Sequence, residues 1–172
     1  MSYQDVDEII KHLYISNWYS SINPVELKKH NIKAIITIET RQKSQDILNY
    51  YRKNGIDYLF LYLNDLPSEN ISKYFNISYN FIDKHIKQGN NVLVNCWAGI
   101  SRSSTIILNY LMRKYYETGG KNQCSNCVFK YFLNYCQSKR PIINPNEGFK
   151  SALISYYKKD WIFKGLNTEK YK

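Results

Sequence analysis

Val92-Leu93-Val94-Asn95-Cys96-Trp97-Ala98-Gly99-Ile100-Ser101-Arg102-Ser103-Ser104-Thr105 decides how this chain folds. Its opening apolar run reads as a buried strand. It then turns through a loop holding Ala98 and Gly99. Past Arg102, Ser103-Ser104-Thr105-Ile106-Ile107-Leu108 reads as the capped start of a helix. Cys96 begins the loop and Arg102 ends it, with five residues between them. Strand, loop and helix N-terminus together make an anion cradle. Successive backbone N–H groups can converge on one oxyanion, and the helix dipole favours negative charge there. Arg102 adds a planar fork able to bind two phosphate oxygens at once. The same positive field suits a thiolate at Cys96, the nucleophilic form of cysteine.

Cys96-Trp97-Ala98-Gly99-Ile100-Ser101-Arg102-Ser103 resembles the signature loop of the cysteine-dependent protein tyrosine phosphatases. Its Ala-Gly-x-Ser-Arg-Ser ending is similar to the dual-specificity branch. A Cys-x5-Arg match alone is weak, and its setting between a strand and a helix is what gives it weight. A buried cysteine at a strand end beside a surface arginine would leave Ala98, Gly99 and the hydroxyls of Ser103, Ser104 and Thr105 unexplained. The resemblance implies that Cys96 is the nucleophile and that Arg102 binds phosphate. Trp97, Ala98, Gly99, Ile100 and Ser101 would line the substrate, and Ser103 would assist departure of the thiolate. It implies no metal and no cofactor. Where the family usually has His before the nucleophile, this chain has Asn95, which can hold the loop by hydrogen bonds but carries no positive charge.

Upstream, Asn64-Asp65-Leu66-Pro67 follows a strand-like run and precedes an amphipathic stretch, with Ile71, Tyr74, Phe75, Ser78, Tyr79, Ile82, His85 and Ile86 on one helical face. The stretch resembles the general-acid loop of dual-specificity phosphatases, where an Asp precedes a Tyr-Phe pair at this offset. Asp65 would protonate the leaving oxygen. A turn aspartate is the plainer reading of the residue alone. Downstream, Arg140-Pro141-Ile142-Ile143-Asn144-Pro145-Asn146 resembles the family segment in which an Asn supports the signature loop. That role falls to Asn146, which also suits a cap for the last helix.

The remaining elements read in order. Asp7–Ser16 reads as one strand. Pro24–His30 is a short helix after the Asn23 cap. Ile32–Ile38 is a buried strand, Ser44–Asn54 a helix stopped at Gly55, and Ile56–Leu63 a further strand. Thr105–Tyr116 continues the helix after the signature loop, and Asn126–Ser138 is another. Cys124-Ser125-Asn126-Cys127 is a lone Cys-x-x-Cys, read as coincidence or core before an oxidation-sensitive pair, since zinc needs four ligands. The fold implied is α/β, a central mixed, mostly parallel sheet flanked by helices on both faces. One catalytic domain covers residues 1–157, followed by a basic, aromatic tail over residues 158–172.

The chain has 172 residues, 44% apolar and 22% charged, which fits one globular domain. The net charge of +10 favours anionic partners, but no Lys/Arg block marks a nucleic-acid arm. No apolar run reaches membrane-spanning length. Four cysteines at irregular spacing, with no signal peptide before them, suggest free thiols and an intracellular location, cytoplasmic or nuclear. A short chain has little room for the recognition loop of a deep phosphotyrosine-specific cleft. The expected activity is therefore hydrolysis of phosphotyrosine and phosphoserine/threonine in phosphorylated protein substrates, through a phosphocysteine. The loop interior lacks Lys and Arg, which argues against the alternatives, RNA 5′-phosphates and phosphoinositides. A weakly active phosphoprotein-binding pseudophosphatase is the competitor from another class.

Overall fold

The computed structural model describes residues 5–121 and 124–164, with 159–164 as backbone only. Its strands are β1 (Val6–Ile10), β2 (Leu13–Ser16), β3 (Ile32–Glu39), β4 (Asp57–Tyr62) and β5 (Asn91–Asn95). They form one sheet in the order β1-β2-β5-β3-β4, with β1 antiparallel to β2 and the other pairings parallel. The run that precedes Cys96 is thus the central strand. The mixed, mostly parallel sheet expected from the resemblance is present.

Two cores cover the sheet. On one side, Ala34, Ile36 and Ile38 of β3 and Val92 and Val94 of β5 meet α4 (Phe75–Lys87), α5 (Arg102–Glu117), α6 (Ser125–Lys139) and α7 (Glu147–Lys164). On the other, Ile35 and Leu93 meet α2 (Pro24–Lys29) and α3 (Gln45–Lys53). A short α1 (Trp18–Ser21) follows β2. Both faces are dry, so the central strands read as continuous apolar runs rather than alternating ones. Burying side chains such as Ile36 and Val94 stabilises the fold by about 1.5–3 kcal/mol each. A one-residue slip of β5 would turn Val92 and Val94 towards α2 and α3 and Leu93 towards the larger core, so both cores would have to repack.

Several local expectations change. Asp7–Ser16 is a hairpin rather than one strand, because His12 adopts φ 71° and reverses the chain. The helix at Ile71 begins with a 3-10 turn, Ile71–Tyr74, before α4. Helix α5 starts at Arg102, and the Ser104 and Thr105 hydroxyls donate back to the Ser101 carbonyl instead of capping free N–H groups. Cys124 and Cys127 are neither core nor free thiols: both are exposed, at the start of α6, and joined by a disulfide. Helix α7 runs through Lys164, so no break in secondary structure separates the domain from the first part of the expected tail. Phe163 and Trp161 lie among the backbone-only residues, and Tyr171 lies outside the described residues. Among the described residues no helix is long and apolar enough to cross a membrane.

Candidate active site

Parallel strands carry their C-terminal ends to one edge of the sheet, where α/β folds form their binding crevices. Register sets the levels: Ser16 and Thr37 both pair with Asn95, and Glu39 pairs with Tyr62. The loop from Cys96 to Ser101 therefore opens beside the ends of β2, β3 and β4.

The loop is held by its carbonyls. Trp97 O accepts the Trp18 N–H (3.0 Å) and Ile100 O accepts the Asn144 N–H (3.0 Å). Between them, Arg140 Nη2 donates to Ala98 O (3.1 Å) and Nε to Gly99 O (3.0 Å). Arg140 is buried and is anchored from behind by Asp5 and, at 2.7 Å, by Asp7. Gly99 has φ +68°, and a Cβ there would sit 2.7 Å from Ser16 O and 2.9 Å from Arg140 Nη2, so only glycine fits. Four consecutive carbonyls tied to the surroundings turn the intervening N–H groups the other way. Those of Ala98, Gly99, Ile100, Ser101 and Arg102 have no acceptor among the described residues. That is the arrangement of an anion nest at a helix N-terminus.

Arg102 is buried at 7% exposure and closes the nest. Its Nη1 donates to Leu63 O (3.1 Å), and its Nη2 pairs with Glu39 Oε1 (2.5 Å). The same Glu39 oxygen accepts the Trp97 N–H (3.1 Å). Nε lies 3.7 Å from Asp65 Oδ2, an ion-pair distance but too long for a hydrogen bond, and it has no acceptor. A buried donor left without a partner costs about 1–3 kcal/mol, so its presence here points to an anionic ligand.

Cys96 follows the last residue of β5 and is 1% exposed. Its Sγ lies 3.2 Å from Ser103 Oγ. Asn95 is fully buried: Oδ1 accepts the Thr37 hydroxyl (2.8 Å), tying β5 to β3, and Nδ2 reaches the Cys96 carbonyl (3.4 Å). Asp65 leans over the loop. Its Oδ1 accepts the Ser101 hydroxyl (2.6 Å) and Asn146 Nδ2 (2.8 Å). Asn146 in turn gives its backbone N–H to Ser101 Oγ (3.1 Å), and its Oδ1 accepts the Phe149 N–H (3.0 Å) at the start of α7. Asn146 thus caps α7 and also contacts the loop residue Ser101 and Asp65. Ser101, read only as loop lining, is the hydroxyl joining Asp65 and Asn146 to the loop.

The fold gathers Asp65, Asn95, the loop from Cys96 to Ser103 and Asn146 at one end of the sheet, and adds three residues. Arg140 appeared only as part of the Arg-Pro segment, with no sign that it grips loop carbonyls. Glu39 had a signal that went unused, a carboxylate at the C-terminal end of a buried parallel strand. Lys43 had none. It is 3% exposed, its Nζ donates to Ser21 Oγ (2.7 Å) and lies 3.2 Å from the centre of the Trp18 ring. Burial pushes its ammonium down to about 7, against the pull of the Glu39 carboxylate.

Comparison with known proteins fits this geometry. A family model described as dual specificity phosphatase, catalytic domain, matches residues 13–159. A probable dual specificity protein phosphatase of Dictyostelium discoideum is 32% identical over 152 residues, 88% of this chain and 63% of that protein. Dual specificity protein phosphatase 15 of Mus musculus is 32% identical over 149 residues, 87% of this chain and 56% of that protein. The chain therefore spans about six tenths of the length of these relatives. The crystal structure of human tyrosine phosphatase-like serine/threonine/tyrosine-interacting protein superposes with a TM-score of 0.71 at 32% identity, covering 89% of this chain and 95% of that one. That of DUSP15 gives 0.74 at 27% identity, covering 95% and 96%. With the sheet order, the loop and the matched span in agreement, the chain belongs to the dual specificity phosphatase family.

Proposed function

We propose that the protein is a cysteine-dependent phosphatase acting on phosphotyrosine and phosphoserine/threonine in proteins, and that it works through a phosphocysteine. The observation that carries this is the arc of acceptor-less N–H groups, from Ala98 to Arg102, completed by the orphan Nε of Arg102 and headed by the Cys96 thiol. In the first step the Cys96 thiolate attacks phosphorus and the P–O bond to the leaving group breaks. Asp65, with Oδ2 free of hydrogen-bond donors, gives that oxygen a proton. In the second step Asp65 takes a proton from water, the water oxygen bonds to phosphorus, and the thiolate departs, assisted by Ser103 Oγ 3.2 Å away. Loop N–H groups and Arg102 hold the equatorial oxygens in both steps.

Rapid-quench kinetics on an aryl phosphate should show a burst of phenol, with phosphate trapped on Cys96. Cys96→Ser should abolish turnover while inorganic phosphate still binds, since the cradle is intact. Hydrolysis by that variant at the wild-type rate would end the covalent reading. Phosphate binding with no turnover in the wild type would instead favour a phosphoprotein-binding module. The likeness to a relative whose name describes it as phosphatase-like and interacting keeps that second reading in play.

A further inference from the structure

Two large rings stand exposed on the cradle's own loop and on the helix fastened to it, with no part in the steps above. Trp97, the residue after the nucleophile, is 54% exposed, and Tyr19 is 61% exposed. Their rings meet edge to face with centroids 5.7 Å apart. Trp18 lies behind, 6.3 Å from Trp97, and the buried Lys43 ammonium over its ring leaves it little freedom. The backbone bond from Trp18 N–H to Trp97 O fastens α1 to the loop, so the rings keep their place relative to the nest. Clustered apolar rings held in water beside a polar site mark a surface meant to be covered.

Resting on the phosphatase reading, we infer that Trp97 and Tyr19 are specificity-determining residues that pack against the phenyl ring of phosphotyrosine. The reason is reach. The backbone N–H of Trp97 belongs to the same loop that grips phosphate, so its side chain begins one residue from the nucleophile. In phosphotyrosine a single oxygen separates phosphorus from the aromatic ring, so the ring must lie at the mouth of the nest. Phosphoserine and phosphothreonine offer only a methylene or a branched carbon there. Offset and edge-to-face aromatic contacts favour the ring beyond its apolar area. The site accepts all three phosphoresidues, but the rings tilt it towards tyrosine.

The test compares peptides of one sequence carrying phosphotyrosine or phosphothreonine. Trp97→Ala should lower the ratio of their kcat/KM values about tenfold, the range open to one aromatic contact. Tyr19→Ser should lower it severalfold, and Trp97→Phe should preserve it. Tyr131→Ala, removing an exposed ring on α6, should leave it unchanged. An equal loss on both peptides would mean that Trp97 only shapes the loop, and would overturn the inference; so would no loss on either. A binding arm separates this from the failure of the phosphatase reading. In the Cys96→Ser background, calorimetry should show phenyl phosphate binding more tightly than methyl phosphate, and Trp97→Ala should erase the difference. If the wild type proves inactive yet this preference holds, catalysis is wrong and the aromatic contact stands. Equal affinities, or no binding of either ester, would sink it.

Discussion

Glu39 shows how one side chain can alter what a local motif does. Its carboxylate touches both Arg102 and the Trp97 N–H just ahead of the nest, two donors that a phosphate would also use. A phosphate entering the nest meets this negative charge, a repulsion of about 3 kcal/mol per charge pair at roughly 5 Å and an effective dielectric of 20. Set against it is the loss of an anchor for Arg102, which keeps its bond to Leu63 O. Glu39→Gln removes the charge and keeps the shape, so inorganic phosphate should bind about tenfold more tightly, read by calorimetry or by competitive inhibition. Weaker binding in the variant would show that Glu39 serves chiefly to hold Arg102.

At the scale of elements, the acid loop and α7 depend on each other. Gly148, in the first turn of α7, lies against Pro67, and an added Cβ would come within 1.9 Å of Pro67 O. Only a glycine lets the helix approach the Asp65 loop this closely. Gly148→Ala should push the loop away and break the Asp65 contacts to Ser101 and Asn146. On an alkyl phosphate kcat should fall about a hundredfold, at the low end of what a positioned acid supplies. An aryl phosphate with an acidic phenol needs little protonation and should lose much less. The same pattern is expected of Asp65→Asn. A uniform loss across leaving groups in Gly148→Ala would place the damage in the cradle instead. The sequence shows α7 starting after Asn146, because an Asn cap and a proline mark it locally. It gives no hint that this helix packs on the loop bearing Asp65.

At the scale of the whole molecule, the buried Lys43 links stability to pH. Its ammonium titrates near 7 in the folded chain, against about 10.4 for a free lysine. Between these values the unfolded chain holds a proton that the folded one has released, so stability rises with pH across the window and is lowest at or below 7. Above pH 10 the trend is opposed by Tyr51 and Tyr79, whose hydroxyls burial pushes up. Denaturant unfolding between pH 7 and 9 should therefore show the wild type gaining about 1 kcal/mol per pH unit from this one residue. Lys43→Met should flatten that slope. An unchanged slope would show that Lys43 stays charged beside Glu39 and Trp18.

The sequence by itself determined what depends on neighbours along the chain. A strand, a loop with Gly99 and a helix start fall within fourteen residues, and the spacing of Cys96 and Arg102 follows from that local geometry. Asn23, Gly55 and Asn146 mark helix ends for the same reason. Tertiary structure decided what depends on residues far apart in the chain. The order of the strands placed Glu39 against Arg102, and the packing of the segment after α6 put Arg140 under the loop carbonyls. The hairpin at His12 turned on a left-handed backbone position that residue type did not announce. The Ser101 hydroxyl, read from the sequence only as loop lining, went to Asp65 because the fold brought a charged acceptor within 2.6 Å. Local propensity fixes where an element begins and ends, but which side chain answers a buried charge is settled only when strands meet side by side.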